Sequence, residues 1–284
     1  MVAGTASPTL AQRLTDALHA PLAETDIRRF PDGEVYARIT TDLDGKHAIL
    51  VQTTAPNDNL VELLLLQDAA KEAGAGRVTS IIPYYGYARQ DQVFKPGEAV
   101  SSRAVARALA TTADRVVTVD PHKEEILDFF FDGAYSVSAV PQLAEELGRW
   151  GVDAVLAPDK GARDRAERAA AILGVPFDHL EKTRLGPTEV VIKTKDLDVA
   201  GKAVAIVDDI IASGGTMITA ARQLKDQGAT KVYAACTHGL FTGGAVPKLL
   251  AGGIDRVLCT DTLEATGCDT VSAAPAIAAV LAKA

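Results

Sequence analysis

The sequence predicts an α/β protein built from two similar domains, each with a mostly parallel β-sheet flanked by helices. Apolar, β-branched segments of strand length alternate with longer segments of helical composition, such as 60–73 and 218–227. The chain of 284 residues is long enough for two domains with a hydrophobic core each. Several segments of the first half also recur, in the same order, in the second half. We therefore interpret the chain as an internal duplication of one α/β domain.

Three pairs of segments carry this duplication. GKHAILVQ at 45–52 is matched by GKAVAIVD at 201–208, KEAGAGRV at 71–78 by KDQGATKV at 225–232, and DRVVTVD at 114–120 by DRVLCTD at 255–261. A weaker match joins 29–35 to 184–190 through Arg, Glu and Val. The period is too long for a solenoid repeat. We predict an N-terminal domain at 1–140 and a C-terminal domain at 141–284, with a last helix at 274–282 that could pack on either.

Composition narrows the classes of function. The formal net charge of -8 gives no basic field for nucleic acid, so local Arg and Lys side chains must bind any anionic substrate. The absence of a signal peptide and of an apolar run of transmembrane length predicts a cytoplasmic protein without a membrane partner. Three cysteines without metal-ligand spacing suggest unreactive thiols in a reducing compartment.

The main candidate site lies in AVAIVDDIIASGGT at 203–216. We expect a strand, AVAIV, that is buried on both faces and ends before Asp208 and Asp209, followed by a loop and then a helix from Met217. Glycines before a helix N-terminus can aim N–H groups at an anion, and Ser213 and Thr216 add hydroxyl donors. The two carboxylates can accept hydrogen bonds from vicinal hydroxyls or hold a cation. The segment therefore predicts a phosphate pocket beside a diol pocket, which suits a sugar phosphate; the alternative is an ordinary βα turn with solvated acids.

The first copy has lost this pattern. Its matching segment, QTTAPNDNL at 52–60, has neither the two acids nor the two glycines. We infer one sugar-phosphate site per chain, with the first copy available for another role.

Further candidates follow other predicted strands. Arg89 and Gln90 follow the strand that begins at Ile81, where Arg can bind phosphate and Gln a polar edge, unless this is a surface loop with packed tyrosines. His122 follows another strand in VVTVDPH and could bind a metal or nucleotide, or be structural. Asp159 could bind Mg²⁺ or cap a helix.

Two cations, Lys182 and Arg184, lie in a segment at 180–188 that we expect to be a mobile hairpin. Such a segment suits a lid that closes over phosphates, and the alternative is a solvated basic turn. The sequence contains no GxxxxGK[ST], so an ATP site would not be a P-loop.

Taken together, these segments resemble the ribose-phosphate pyrophosphokinase (PRPP synthetase) family over nearly the whole chain. The matching segments are RFPDGE at 29–34, PYYGYARQD at 83–91, VDPH at 119–122, APDKG at 157–161, EKTR at 181–184 and VDDIIASGGT at 207–216. The last segment also resembles the PRPP signature of type I phosphoribosyltransferases. The resemblance implies two tandem type I phosphoribosyltransferase-like domains and transfer of the diphosphoryl group of MgATP to the C1 hydroxyl of ribose 5-phosphate.

The resemblance also implies a role for each candidate residue. Ribose 5-phosphate would be bound by Asp208, Asp209, Ala212, Ser213, Gly214, Gly215 and Thr216. ATP would be bound by Phe30, Asp32, Glu34, Arg89, Gln90 and His122. His122 and Asp159 would bind Mg²⁺ or its waters, and Lys182 and Arg184 would be catalytic. Phe30, Asp32 and Glu34 would receive adenine from a neighbouring subunit, which implies a dimer-based homo-oligomer.

The sequence departs from the family at two positions. Many members have Asp where this chain has Ala212, and a polar or acidic residue where it has Phe94. Two other functions stay open at this point: a phosphoribosyltransferase that consumes PRPP, and a non-catalytic regulatory paralogue.

Overall fold

The computed structural model describes residues 1–130, 133–184, 190–194 and 197–282, with the backbone alone at 181–184 and 190–194. The chain divides into two compact units. The first unit comprises Met1–Ser138, Thr262–Glu264 and the C-terminal segment from Ala273; the second comprises Ala139–Asp261 and Ala265–Ser272. The division falls two residues before the boundary that the sequence predicts.

The first unit is an α/β layer structure around a parallel sheet. Its elements are β1 Val2–Ala3, α1 Pro8–Leu18, β2 Thr25–Arg29, β3 Val35–Ile39, β4 His47–Val51, α2 Asn57–Glu72, β5 Arg77–Ile82, α3 Ser101–Leu109, β6 Arg115–Val119, a 3₁₀ helix Glu124–Phe129, β7 Ala134–Val137 and the last helix, α8 Ala274–Leu281. The strand order is β1-β4-β5-β6-β7, all parallel, and β2 and β3 form a separate antiparallel pair. The last helix contacts α1 within this unit.

The second unit has a larger sheet of the same kind. Its elements are α4 Val140–Arg149, β8 Ala154–Ala157, α5 Arg163–Leu173, β9 Phe177–Arg184, β10 Val190–Thr194, β11 Ala203–Ile211, α6 Gly215–Asp226, β12 Lys231–Gly239, α7 Ala245–Ala251, β13 Arg256–Thr260 and β14 Asp269–Val271. The strand order is β10-β9-β8-β11-β12-β13-β14, and every pair except β9–β10 is parallel. The predicted α/β class and parallel sheets are confirmed.

Strand β11 lies between two cores. Val204 and Ile206 pack into one hydrophobic cluster, and Ala205 and Val207 pack into another. Successive side chains of a strand point to opposite faces, so both faces of β11 are covered. The predicted burial of this strand on both faces is confirmed.

The duplication extends to individual hydrogen bonds. In the first unit Lys71 Nζ lies 2.7 Å from Asp114 Oδ2, and in the second Lys225 Nζ lies 2.7 Å from Asp255 Oδ2. Each of these carboxylate oxygens also accepts a backbone N–H of the neighbouring strand, at 2.7 and 2.8 Å. Each pair therefore ties the end of a helix to the start of two strands in the same way.

The weak fourth match corresponds to a structural repeat as well. Arg29 pairs with Val35 across the β2–β3 hairpin, and Arg184 pairs with Val190 across the β9–β10 hairpin. Both copies thus contain an antiparallel hairpin at the same point of the repeat.

None of the helices in the described part of the chain combines the length and the apolar character that crossing a bilayer requires.

Candidate active site

The two acidic residues lie within β11 and not beyond it. The strand continues through Asp208 and Asp209 to Ile211, so the predicted strand end before Asp208 is wrong. The reason is the neighbouring strand: β12 is also nine residues long, and its register pairs Asp208 with Cys236 and Ile211 with Gly239. A parallel partner of equal length keeps the backbone extended past the point where the apolar run stops.

The phosphate-type loop is shorter than the sequence suggests. Only Ala212–Gly214 separates β11 from α6, which begins at Gly215, so Thr216 lies in the first helical turn. Gly214 has φ +77, and a Cβ there would lie 2.9 Å from Leu249 Cδ2, so both conformation and space require glycine. The first N–H groups of a helix lack intrahelical acceptors and carry partial positive charge, and Ser213, Gly215 and Thr216 are exposed. An anion from solvent can therefore reach these donors.

The carboxylates in front of this loop are strongly coupled. Asp209 is 5% exposed, and its backbone N–H donates to Asp208 Oδ1 at 2.8 Å. Burial, and then the hydrogen bond and negative charge of Asp209, raise the pKa of Asp208 to about 8. Arg165 Nη2, on α5, lies 3.9 Å from Asp209 Oδ2. The pair can therefore hold a proton near neutral pH and offer vicinal hydroxyls both a donor and acceptors.

Asp159 belongs to the same electrostatic group. It is exposed, and its Oδ1 accepts the backbone N–H groups of Gly161 at 2.8 Å and Ala162 at 3.2 Å, just before α5. These contacts form a turn before the helix. The N-cap residue of α5 is Ala162, without a side-chain cap hydrogen bond, so the alternative that Asp159 caps the helix is wrong. Its charge also contributes to the raised pKa of Asp208, after burial and the effects of Asp209. Among the described residues, no group of three or more His, Cys, Asp or Glu is placed to hold a metal ion.

In the first unit, the loop that contains Arg89 and Gln90 is anchored to α3. Arg89 is exposed, whereas Gln90 is half-buried and its carbonyl accepts both the N–H and the hydroxyl of Ser102, at 3.2 and 3.1 Å. Tyr85, which is buried, donates to the Ser102 carbonyl at 2.5 Å. The packed tyrosine that the alternative interpretation expected is thus present, and it fixes the loop while leaving Arg89 at the surface.

Lys123, which was not predicted from the sequence, connects two loops of the first unit. Lys123 Nζ forms an ion pair with Asp91, and this joins the loop after β5 to the loop after β6. Burial acts to raise the pKa of Asp91, but the hydrogen bond from Lys123 and the charges of Lys123 and His122 lower it. The structure therefore brings His122 and the Arg89–Gln90 loop into one neighbourhood. The only sequence signal for Lys123 was its position directly after VDPH.

The tip of the β2–β3 hairpin presents the three predicted adenine contacts. Phe30, Asp32 and Glu34 are all exposed, and Asp32 Oδ1 accepts the Glu34 N–H at 3.1 Å. Phe30 packs edge-on against Tyr36 with ring centroids 5.9 Å apart, while 43% of the residue remains exposed. An exposed aromatic ring on a hydrogen-bonded turn can stack on another ring from outside.

Lys182 and Arg184 have a known backbone position. Both lie in β9, where Lys182 pairs with Ile192 and Arg184 with Val190. Their side chains, and residues 185–189, lie outside the described residues. The expected hairpin is confirmed, and its mobility stays a prediction.

A further loop, which was not predicted from the sequence, lies beside Ala212. After β12, the N–H of Phe241 donates to the Ile211 carbonyl at 3.1 Å, and the N–H of Thr242 donates to the Ala212 carbonyl at 3.1 Å. Thr242 is followed by Gly243 and Gly244 and then by α7, which repeats the hydroxyl, two glycines and helix of the predicted phosphate loop. That similarity was the available signal.

The predicted residues thus fall into two sets. The second unit brings together Asp159, Asp208, Asp209 and the loop at 212–216. The first unit holds Arg89, Gln90, His122 and the hairpin tip. His122 and Asp159, the predicted metal ligands, lie in different units.

Comparisons with known proteins identify both units. Residues 1–112 match the N-terminal domain of ribose phosphate pyrophosphokinase, and residues 138–250 match the phosphoribosyl transferase domain. A ribose-phosphate pyrophosphokinase from Methanopyrus kandleri is 47% identical over 95% of this chain and 94% of its own. One from Methanosarcina acetivorans is 42% identical over 99% and 98%. A crystal structure of phosphoribosylpyrophosphate synthetase from Mycobacterium smegmatis superposes with a TM-score of 0.87 at 32% identity, covering 99% of this chain and 96% of that one.

The raised pKa of Asp208 predicts a specific pH dependence of stability. Between the ordinary value of 3.8 and about 8, the unfolded chain loses this proton while the folded chain keeps it. Stability from this group is therefore complete below pH 3.8 and falls as pH rises toward 8. Asp208→Asn stays neutral, so its stability relative to wild type should increase from pH 5 to pH 8 in urea unfolding.

The matched control is Asp226→Asn, at the exposed end of the adjacent helix α6. Its difference from wild type should stay the same at both pH values. If Asp208→Asn also shows a pH-independent difference, Asp208 is ionised throughout and the coupling described above is wrong.

Proposed function

The chain belongs to the ribose-phosphate pyrophosphokinase family and is an ATP-dependent diphosphotransferase, and we propose that its two units divide donor and acceptor binding between them. The reaction transfers the β,γ-diphosphoryl group of ATP to the C1 hydroxyl of ribose 5-phosphate and yields PRPP and AMP. One observation supports the assignment of the acceptor site. A pair of carboxyl groups is followed directly, within one strand–loop–helix, by an exposed helix N-terminus.

Ribose 5-phosphate occupies the second unit in this proposal. Ala212–Thr216 binds the 5-phosphate through the N–H groups at the start of α6 and the hydroxyls of Ser213 and Thr216. Asp208 and Asp209 bind the two ribose hydroxyls, and Arg165 compensates the charge of Asp209. Holding the sugar at both ends fixes the C1 hydroxyl for in-line attack, so binding free energy is converted into orientation. No strong general base is required, because the reaction depends on positioning and charge.

ATP is bound by the first unit together with a second copy of the chain. Arg89 is exposed on an anchored loop and can bind phosphate, and Gln90 and His122 lie in the same neighbourhood. The exposed hairpin tip of Phe30, Asp32 and Glu34 receives the adenine of a neighbouring subunit. This arrangement makes the enzyme a dimer-based homo-oligomer.

The residues present fit a magnesium ion carried largely by the substrate. Mg²⁺ is commonly held by one or two carboxylates together with substrate phosphates and waters, and Asp159 is an exposed carboxylate beside the acceptor site. His122 would contact the hydrated ion through water, because Mg²⁺ prefers oxygen ligands. When bound, the ion neutralises phosphate charge. Lys182 and Arg184, on the β9–β10 hairpin, would stabilise the negative charge of the diphosphoryl group during its transfer.

The reaction class is tested by product analysis. Incubation with ATP, Mg²⁺ and ribose 5-phosphate should produce AMP and PRPP in equal amounts. ADP as the nucleotide product would indicate transfer of the γ-phosphoryl group alone and would contradict the proposal. Consumption of added PRPP with an amine or base, without AMP formation, would favour a phosphoribosyltransferase instead.

The acceptor site is tested by Asp208→Ala and Asp209→Ala. Each removes a hydrogen-bond partner of a ribose hydroxyl, worth about 1.5–3 kcal/mol, so kcat/KM for ribose 5-phosphate should fall by roughly tenfold or more. Asp226→Ala, on the exposed end of α6, should leave steady-state kinetics unchanged. Wild-type values of KM and kcat in both acceptor variants would refute the diol assignment.

The hairpin is tested by Lys182→Ala. A cation that contacts the phosphates mainly in the transition state should lower kcat by about 10²–10³ and alter KM for either substrate little. Lys231→Ala, which removes an exposed lysine at the opposite end of the sheet strands, is the control. If Lys182→Ala raises only KM for ATP, Lys182 binds the ground state and is not catalytic.

The shared adenine site is tested by mixing subunits. Lys182→Ala and Asp32→Ala proteins should each be nearly inactive, and exchanging their subunits should restore part of the activity, because some mixed sites then contain both wild-type residues. The assay compares the mixture with each variant alone, after confirming subunit exchange with a fluorescent label. Full activity from a wild-type protein that is monomeric by light scattering would contradict the shared site.

A further inference from the structure

The three cysteines of the chain lie next to one another in the second unit. Cys236 on β12 pairs in register with Cys259 on β13. Cys268 directly precedes β14, and its Sγ lies 3.6 Å from Cys259 Sγ. Thr270 Oγ1 lies 3.8 Å from Cys259 Sγ. The sequence spacing did not indicate this cluster, because Cys236 and Cys259 lie on separate strands and Cys268 precedes a third.

The two sulfurs in contact differ in their access to solvent. Cys259 is fully buried in the hydrophobic core, whereas Cys268 is only partly buried and follows the exposed Gly267, which has φ +78. A disulfide needs an S–S distance of about 2.05 Å, so the sulfurs must approach by roughly 1.5 Å. Cys268 lies outside β14, at the end of an exposed segment, and can make that movement while Cys259 stays in the core.

The chemistry of the pair fits a dithiol better than a metal site. The hydrogen bond with Cys259 lowers the pKa of Cys268, and the same contact, followed by burial, raises the pKa of Cys259. A thiol with a lowered pKa and access to solvent is the one that oxidants attack first. Within the described residues, no group of three His, Cys, Asp or Glu side chains is arranged to hold a metal ion.

We propose that Cys259 and Cys268 are an oxidisable pair that closes to a reversible disulfide, with hydrogen peroxide as oxidant. The Cys268 sulfur attacks a peroxide oxygen; the O–O bond breaks, an S–O bond forms, and the leaving hydroxide takes the thiol proton to give water. The Cys259 sulfur then attacks the sulfenic sulfur of Cys268. The S–S bond forms as the S–O bond breaks, and the departing hydroxide leaves as water with the Cys259 proton. The two thiols are oxidised by two electrons and the peroxide is reduced to two waters.

Cys236 does not take part in this proposal. It is fully buried, and in the sheet it lies between Cys259 and Asp208, opposite both in register. The bridge therefore forms on the side of Cys259 that faces away from the proposed ribose site. Cys236 provides an internal reference thiol for the experiment.

The test is mapping of the wild-type protein after exposure to hydrogen peroxide, followed by denaturation and alkylation of remaining thiols. Trypsin places Cys259 and Cys268 together in peptide 257–283 and Cys236 in peptide 232–248. The first peptide should lose two hydrogens and escape alkylation, while the second should be alkylated. Cleavage after Glu264 should give two fragments that separate only after dithiothreitol treatment. Prior treatment of the oxidised protein with dithiothreitol should restore alkylation of all three cysteines.

Variants assign the order of attack. Cys268→Ser should leave Cys259 alkylated after peroxide, and Cys236→Ser, the matched control, should form the bridge as wild type does. Three results would overturn the proposal: a bridge that includes Cys236, oxidation of Cys268 to sulfinic acid with Cys259 still alkylated, or three alkylated cysteines after peroxide treatment. The mapping of wild type decides the question even if a buried variant fails to fold.

Discussion

Two adjacent carboxyl groups, Asp208 and Asp209, lie within the central strand β11. Burying two acids side by side costs free energy, and the surrounding residues of the second unit must offset that cost. Burial disfavours two ionised carboxylates side by side, which is why the pKa of Asp208 is raised and why Arg165 approaches Asp209. On one side of β11, strand β12 pairs with it through Asp208 to Ile211; on the other side, the pairing with β8 ends at Ile206, before the two acids. The strand also has a hydrophobic core on each face. The sheet thus preorganises acceptors whose charge a bound polyol and cation can compensate.

The first unit has the same kind of strand but lacks the pair of adjacent acids at its end. Gln52 takes the place that Asp208 has in the repeat, and its Oε1 accepts the Ala6 N–H at 3.0 Å while its amide donates to Glu62 at 2.8 Å. Glu62 also accepts the N–H and the hydroxyl of Thr5, at 2.7 and 2.6 Å. Internal donors and acceptors therefore satisfy the polar groups at this strand end. The first copy thus uses these positions for internal contacts, whereas the second leaves the start of α6 exposed.

The parts common to both copies are those that build the sheet. The Lys71–Asp114 and Lys225–Asp255 contacts each fix the helix end and the starts of two strands, so the opposite ends of the strands are free to diverge. The hairpins follow the same rule. In the first unit β2 and β3 stand apart as a two-stranded sheet, whereas in the second β9 joins the main sheet through β8. The two units therefore share one sheet framework but differ in how the hairpin is attached to it. This difference accompanies the proposed division into a donor-binding unit and an acceptor-binding unit.

The sequence by itself determined the α/β class and the repeat within the chain, and it pointed to the segment that we propose as the acceptor site, because periodicity and the Asp-Asp and Gly-Gly motifs are local properties of the chain. It also predicted a hairpin at 180–188, whereas the β2–β3 hairpin was not predicted and is seen only in the structure. Only the tertiary structure decided where β11 ends, since the length of β12 sets that limit. The ion pair of Lys123 with Asp91, the requirement for glycine at Gly214 beside Leu249, and the contact of Cys259 with Cys268 likewise arise from residues far apart in the chain or on separate strands. Such contacts depend on which elements become neighbours, and no local pattern records that.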